Sequence, residues 1–117
     1  MLLTLYERHA FSSVREELPH GDDNFRLFQD ALMANPRAGD QIQGAHGAHK
    51  VRWHDPLRGK GKRGGIRIIY FYQEEMSRVL LIAGYTKQIA DLTETQTRDI
   101  GRVVLGFRDW RERAPDR

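Results

Sequence analysis

From residue 48 the hydrophobic pattern of this chain changes period from helical to two, and that change constrains the fold more than any other feature. Three β-favouring runs follow one another: "AHKVRWH" (48–54), "IRIIYFY" (66–72) and "RVLLIAGY" (78–85). In the first, Lys50, Arg52 and His54 fall on one face and Val51 and Trp53 on the other, the alternation of a half-buried strand. The links between the runs, "PLRGKGKRGG" and "QEEMS", are short or moderate, so neighbouring strands are expected to pair antiparallel. One face of such a sheet is apolar and must be covered by helices.

The flanking segments supply those helices. "LLTLYE" (2–7) reads as a further strand. "AFSSVREEL" (10–18) spaces Phe11, Val14 and Leu18 along one side of a short helix, which Pro19 and Gly21 stop. Asp22 or Asp23 is placed to cap a second helix, "NFRLFQDALMAN", with Phe25, Phe28 and Leu32 on one stripe. Asn35-Pro36 ends it, and "PRAGD" has turn chemistry. Beyond the last strand, Thr93-Glu94-Thr95-Gln96 has the spacing of a capping box. The helix it opens aligns Ile100, Val103, Val104, Phe107 and Trp110. Both tryptophans, Trp53 and Trp110, fit apolar stripes and are expected in the core. The order strand, two helices, three strands, helix predicts an α+β fold in one domain, residues 1–117.

Composition narrows the class. A chain of 117 residues can bury one core without staples. The absence of cysteine excludes disulfides and thiolate metal sites and is compatible with the cytoplasm, the expected location. No apolar run approaches the ~20 residues of a membrane span. "MLLTLYERHAF" reaches Glu7 and Arg8 too early for a signal peptide.

The formal net charge is only +3, but it is unevenly spread. Residues 46–70 carry seven Lys or Arg against Asp55 alone, while residues 1–45 are net acidic and residues 71–117 are balanced. A focused positive field of this kind suits a polyanion, nucleic acid first among them; a solvated basic loop would read the same way.

Other chemistries find less support. His46 and His49 are three residues apart, with His54 following, but they lack a carboxylate companion and a His-Glu-x-x-His frame, so no metal site is expected. Ser12 and Ser13 have no Gly-x-Ser-x-Gly context. "GKGKRGG" lacks phosphate-loop spacing and precedes a strand rather than a helix. What is left is Lys50 and Arg52 on one strand face, the basic loop, Arg67 on the next strand and "GYTK", residues 84–87. RNA carries its own nucleophile, the 2′-OH. A set of cations could therefore cleave it without a metal or other cofactor, by removing a proton, holding the phosphorane charge and protonating the leaving 5′-oxygen. Arginine suits the middle task and lysine the other two. The same residues could instead only grip phosphates, or pair with Glu16, Glu17 or Asp30. Arg67 is the sharpest signal, because a charge inside the run Ile66–Ile69 is costly unless it meets water or a partner. Tyr85 is ambiguous, since its period places it with Val79, Leu81 and Ala83.

At this point "LMANPRAGDQIQGAHGAHKVRW", "GKGKRGGIRIIYFY", "VLLIAGYTK" and "DLTETQ" resemble, in order and spacing over roughly residues 22–100, the RelE/ParE superfamily of type II toxin–antitoxin toxins, most closely its HigB-like branch. The resemblance implies a small twisted antiparallel sheet packed against helices. It also implies a cytoplasmic mRNA endonuclease that acts on the ribosome by metal-free 2′-OH attack and inhibits translation. A cognate antitoxin, a helix-turn-helix DNA-binding protein, would neutralise it. Lys50, Arg52, Arg67, Tyr85 and Lys87 match the family's catalytic positions, with Tyr85 as a stacking platform for a base. Lys60, Lys62 and Arg63 match its basic loop, a grip on ribosomal or messenger RNA; Arg58 and His49 are expected to bind RNA beside them, although His49 departs from the Arg that relatives often carry there. ParE-like members share the fold yet poison DNA gyrase without cutting RNA, so fold alone leaves that alternative open.

Overall fold

The computed structural model describes residues 3–12, 21–53, 66–86 and 92–111. Its centre is a five-stranded sheet in the order β1-β5-β4-β3-β2, built from β1 (Thr4–Glu7), β2 (Asp40–Gln41), β3 (Ala48–Trp53), β4 (Ile66–Gln73) and β5 (Arg78–Thr86). Two α-helices accompany it among the described residues, α1 (Gly21–Ala34) and α2 (Glu94–Asp109). The α+β class follows from the period change, and the three long strands pair antiparallel as their short links require.

The sheet departs from an all-antiparallel one at its edge. β1 runs parallel to β5, with Leu5 opposite Val79 and Tyr6 opposite Leu80. The intervening chain is long enough for such a crossover, which local patterning cannot reveal. β2, two residues long, lies inside what reads as a turn; its neighbour Gly39 approaches the Lys50 carbonyl so closely that a Cβ there would sit 2.6 Å from the oxygen.

The helices cover both faces rather than one. Phe25, Phe28 and Leu32 of α1, with Phe11, pack on Ile68, Tyr70, Val79 and Leu81. Ile100, Val104 and Phe107 of α2 pack on Ile69, Phe71, Leu80 and Ile82 from the other side. Strand alternation explains the division, since β4 is apolar on both faces from Ile68 through Tyr72. α1 begins at Gly21, one residue before the expected caps, so Asp22 and Asp23 occupy its first turn and favour the helix through its dipole. The 10–18 helix lies largely outside the described residues; its start is a 3-10 turn, His9–Phe11.

α2 starts as the local sequence requires. Thr93 Oγ1 accepts from Gln96 N at 3.1 Å and Gln96 Oε1 accepts from Thr93 N at 2.9 Å, the reciprocal capping box. Its other end is held by Arg78. That buried guanidinium donates to Gln73 Oε1 (2.7 Å) and to the Phe107 and Trp110 carbonyls (2.6 and 2.9 Å), with its carbon 4.0 Å from the Phe107 ring centre. Trp110 departs from the core placement its stripe suggests: it ends the helix 43 % exposed, edge-on to Tyr6 and stacked on Phe107. Trp53 is half-buried, and its indole N–H donates to the buried Asn24 Oδ1 at 2.7 Å, which ties β3 to α1.

Candidate functional site

Register places four of the named residues together. Arg52 of β3 is directly opposite Arg67 of β4, and Arg67 is directly opposite Tyr85 of β5. Lys50 stands two residues along β3, in the row that continues through Ile69 and Ala83. All four side chains lie on the α2 face, at the margin of the apolar core that α2 covers. Arg52 is exposed; Lys50, Arg67 and Tyr85 are half-buried.

Tyr85 reaches this face through a β-bulge. Opposite consecutive Ile69 and Tyr70 stand Ala83 and Leu81, so Ile82 is the extra residue. Simple alternation would put Tyr85 on the Val79 and Leu81 face; the extra residue turns Ala83 and Tyr85 over to the α2 side. An uninterrupted period of two hides this, and no residue in "VLLIAGY" signals it.

The electrostatics of the row are unusual. Like charges directly opposite each other in a sheet repel, and Arg52 and Arg67 are so placed. Arg67 Nη1 is buried and, among the described residues, is the one buried side-chain nitrogen or oxygen without a hydrogen-bond partner. A buried guanidinium N–H left unmet costs free energy, which an anion lying on the row would recover. Asp40 of β2 is the cross-strand neighbour of Lys50.

Two histidines lie elsewhere. His49 points to the α1 face, its ring stacked on Tyr70 at 5.7 Å and its Nδ1 2.9 Å from the Gly47 carbonyl. His46, in the left-handed region at φ 57°, lies against Gly101 of α2, on the other face. The two therefore do not converge, and among the described residues no three His, Asp or Glu side chains are grouped to hold a metal ion. Arg58, Lys60, Lys62, Arg63 and Lys87 lie outside the described residues.

Sequence reasoning missed the row's companion. A cleft of about 250 Å³ opens between the sheet and the first half of α2, floored by Ile69, Ala83, Gly84 and Tyr85 and walled by Leu92, Gln96, Asp99 and Ile100. The signal was present as the spacing of residues 96, 99 and 100 on one side of the helix, with Leu92 just before its cap.

A mixed five-stranded sheet with a helix on each face is the fold of the RelE toxin. The chain superposes on an arginine-to-alanine double mutant of E. coli toxin RelE in the free state with a TM-score of 0.54 at 14% identity, over 90% of this chain and 99% of that one. It also matches the toxin–antitoxin complex RelBE of E. coli (0.51, 17% identity, 71% and 94% covered) and the isolated E. coli RelE toxin (0.51, 17%, 87% and 99%). No protein-family model matches the chain. No helix among the described residues is long and apolar enough to cross a membrane.

Proposed function

We propose that this chain is the toxin of a type II toxin–antitoxin pair, an endoribonuclease that cuts mRNA on the ribosome. The observation that carries the reading is Arg67 Nη1, buried and unmet in a row shared with Arg52, Lys50 and Tyr85. A scissile phosphate on this row gives that N–H its acceptor. Lys50 accepts the 2′-OH proton, O2′ attacks phosphorus, and Arg67 and Arg52 hold the phosphorane oxygens. The P–O5′ bond then breaks and the 5′-oxygen takes up a proton, for which Lys87 is the candidate. The products are a 2′,3′-cyclic phosphate and a 5′-hydroxyl. Every group in this sequence is a side chain or the RNA itself, so the reaction needs no metal or cofactor. Tyr85 stacks on a flanking base. The loop cations Arg58, Lys60, Lys62 and Arg63 grip ribosomal or messenger RNA. A cognate antitoxin is the protein partner, which the RelBE complex among the structural neighbours supports; its helix-turn-helix class is part of the proposal.

Mapping mRNA 5′ ends by primer extension after brief induction tests the reading. Discrete new ends within coding regions are expected. Intact mRNA with a DNA-damage response would replace it by gyrase inhibition on the same fold.

A further inference from the structure

We propose that the cleft beside Tyr85 is a guanine subsite, with Asp99 as the specificity-determining residue. This rests on RNA being the substrate of the Arg67 row. Continuity makes the connection: Ile69 and Ala83 floor the cleft and form the row next to Arg67 and Tyr85. A strand whose phosphate lies on Arg67 has its neighbouring base within one residue spacing of this opening.

The cleft suits a base rather than a whole nucleotide. Its volume of about 250 Å³ falls below the range of drug-sized pockets, which begins near ~300 Å³. Its floor and inner wall are apolar, as a stacked ring requires, and its polar groups sit at the α2 rim. Of these, Gln96 is a neutral amide whose carbonyl oxygen is turned to the Thr93 N–H of the capping box. Asp99 is the acceptor. Arg102 donates to Asp99 Oδ1 at 3.0 Å, an exposed pair that contributes little and exchanges readily. The carboxylate has two oxygens, and that pair uses one.

An ionised carboxylate only accepts hydrogen bonds. Guanine alone among the RNA bases offers two adjacent donors on its Watson–Crick edge, N1–H and N2–H. Adenine and cytosine put an acceptor beside their amine, and uracil flanks its one N–H with carbonyls. A carboxylate at the rim therefore favours guanine twice over, by pairing with it and by repelling the other edges.

The test is titration of the complete set of 2′-O-methyl dinucleotides into the ¹⁵N-labelled protein, wild type and Asp99→Asn, followed by amide shifts. Expected are shifts at Ile69, Ala83, Leu92 and Ile100, and about tenfold tighter binding of guanine-containing dinucleotides, the low end for a bidentate base contact. In Asp99→Asn the preference should fall below about twofold while the rest of the spectrum stays that of the folded protein. A wild type without guanine preference, one whose preference survives Asp99→Asn, or shifts that avoid the cleft would each overturn the subsite. So would a cleft that takes an apolar peptide and no dinucleotide. Guanine preference in a protein that leaves mRNA intact would keep the subsite and remove the nuclease; cleavage blind to guanine would do the reverse.

Discussion

Replacing Arg78 by methionine keeps an unbranched stem and removes the guanidinium that clasps the end of α2. Three charge-assisted hydrogen bonds disappear, each worth about 1.5–3 kcal/mol. Against that, a buried cation no longer has to be stripped of water, which offsets several kcal/mol. The acceptors left behind decide the net. Gln73 is 4 % exposed, so its Oε1 stays unmet at a cost of about 1–3 kcal/mol. Trp110 is exposed, and water can reach its carbonyl. Loss of the charge from the helix C-terminus and from the Phe107 ring adds roughly 1 kcal/mol. The expected destabilisation is about 3 kcal/mol, a fall in Tm of roughly 12 °C for a domain of this size. Thermal melts by circular dichroism and urea titration by tryptophan fluorescence measure it. Arg78→Met with Gln73→Leu should recover at least half of the loss, because the orphaned acceptor goes with its donor. A single variant within about 1 kcal/mol of wild type would refute the clasp.

Gly39→Ala should cost about 1–3 kcal/mol in urea denaturation, because its Cβ would meet the Lys50 carbonyl oxygen at 2.6 Å, backbone against backbone; unchanged stability would show that β2 can move away freely. Lys50→Arg keeps the charge and cannot deprotonate near neutral pH, so it should bind ribosomes nearly as well and cut poorly; wild-type cleavage would move the proton acceptor elsewhere. Burial raises the Tyr70 hydroxyl above its usual value of about 10, Asp40 adds to the rise, and the hydrogen bond from Gly39 N partly opposes it. The unfolded chain therefore loses this proton first, and stability should fall as pH climbs past about 10. Tyr70→Phe should flatten that alkaline decline, and an identical pH profile would contradict the assignment.

What the sequence discloses here is what is local. The capping box lies within four residues, and the strands betray themselves by alternation, so Lys50 and Arg52 share a face as their spacing requires. Features set by distant pairings stay hidden. β1 joins β5 in parallel across more than seventy residues, and nothing in "LLTLYE" names its partner. α1 and α2 take opposite faces because β4 is apolar on both, and the stripe of either helix fits both. The Ile82 bulge turns Tyr85 over, and only pairing with β4 exposes the extra residue. His49 follows the alternation of β3, which places it against Tyr70 on the α1 face rather than beside Lys50 and Arg52. Trp110 completes a helical stripe in projection but stands at the C-cap, past the last residue that α2 lays on the sheet.

Single-turnover cleavage of mRNA on programmed ribosomes, wild type against Arg67→Ala, tests the central claim most directly. The buried, unmet Nη1 of Arg67 is argued to find its acceptor in the scissile phosphate. Its removal should slow the chemical step ~100-fold, about 3 kcal/mol of transition-state stabilisation, while a melt shows the fold intact. A folded Arg67→Ala protein that cuts at the wild-type rate would contradict it.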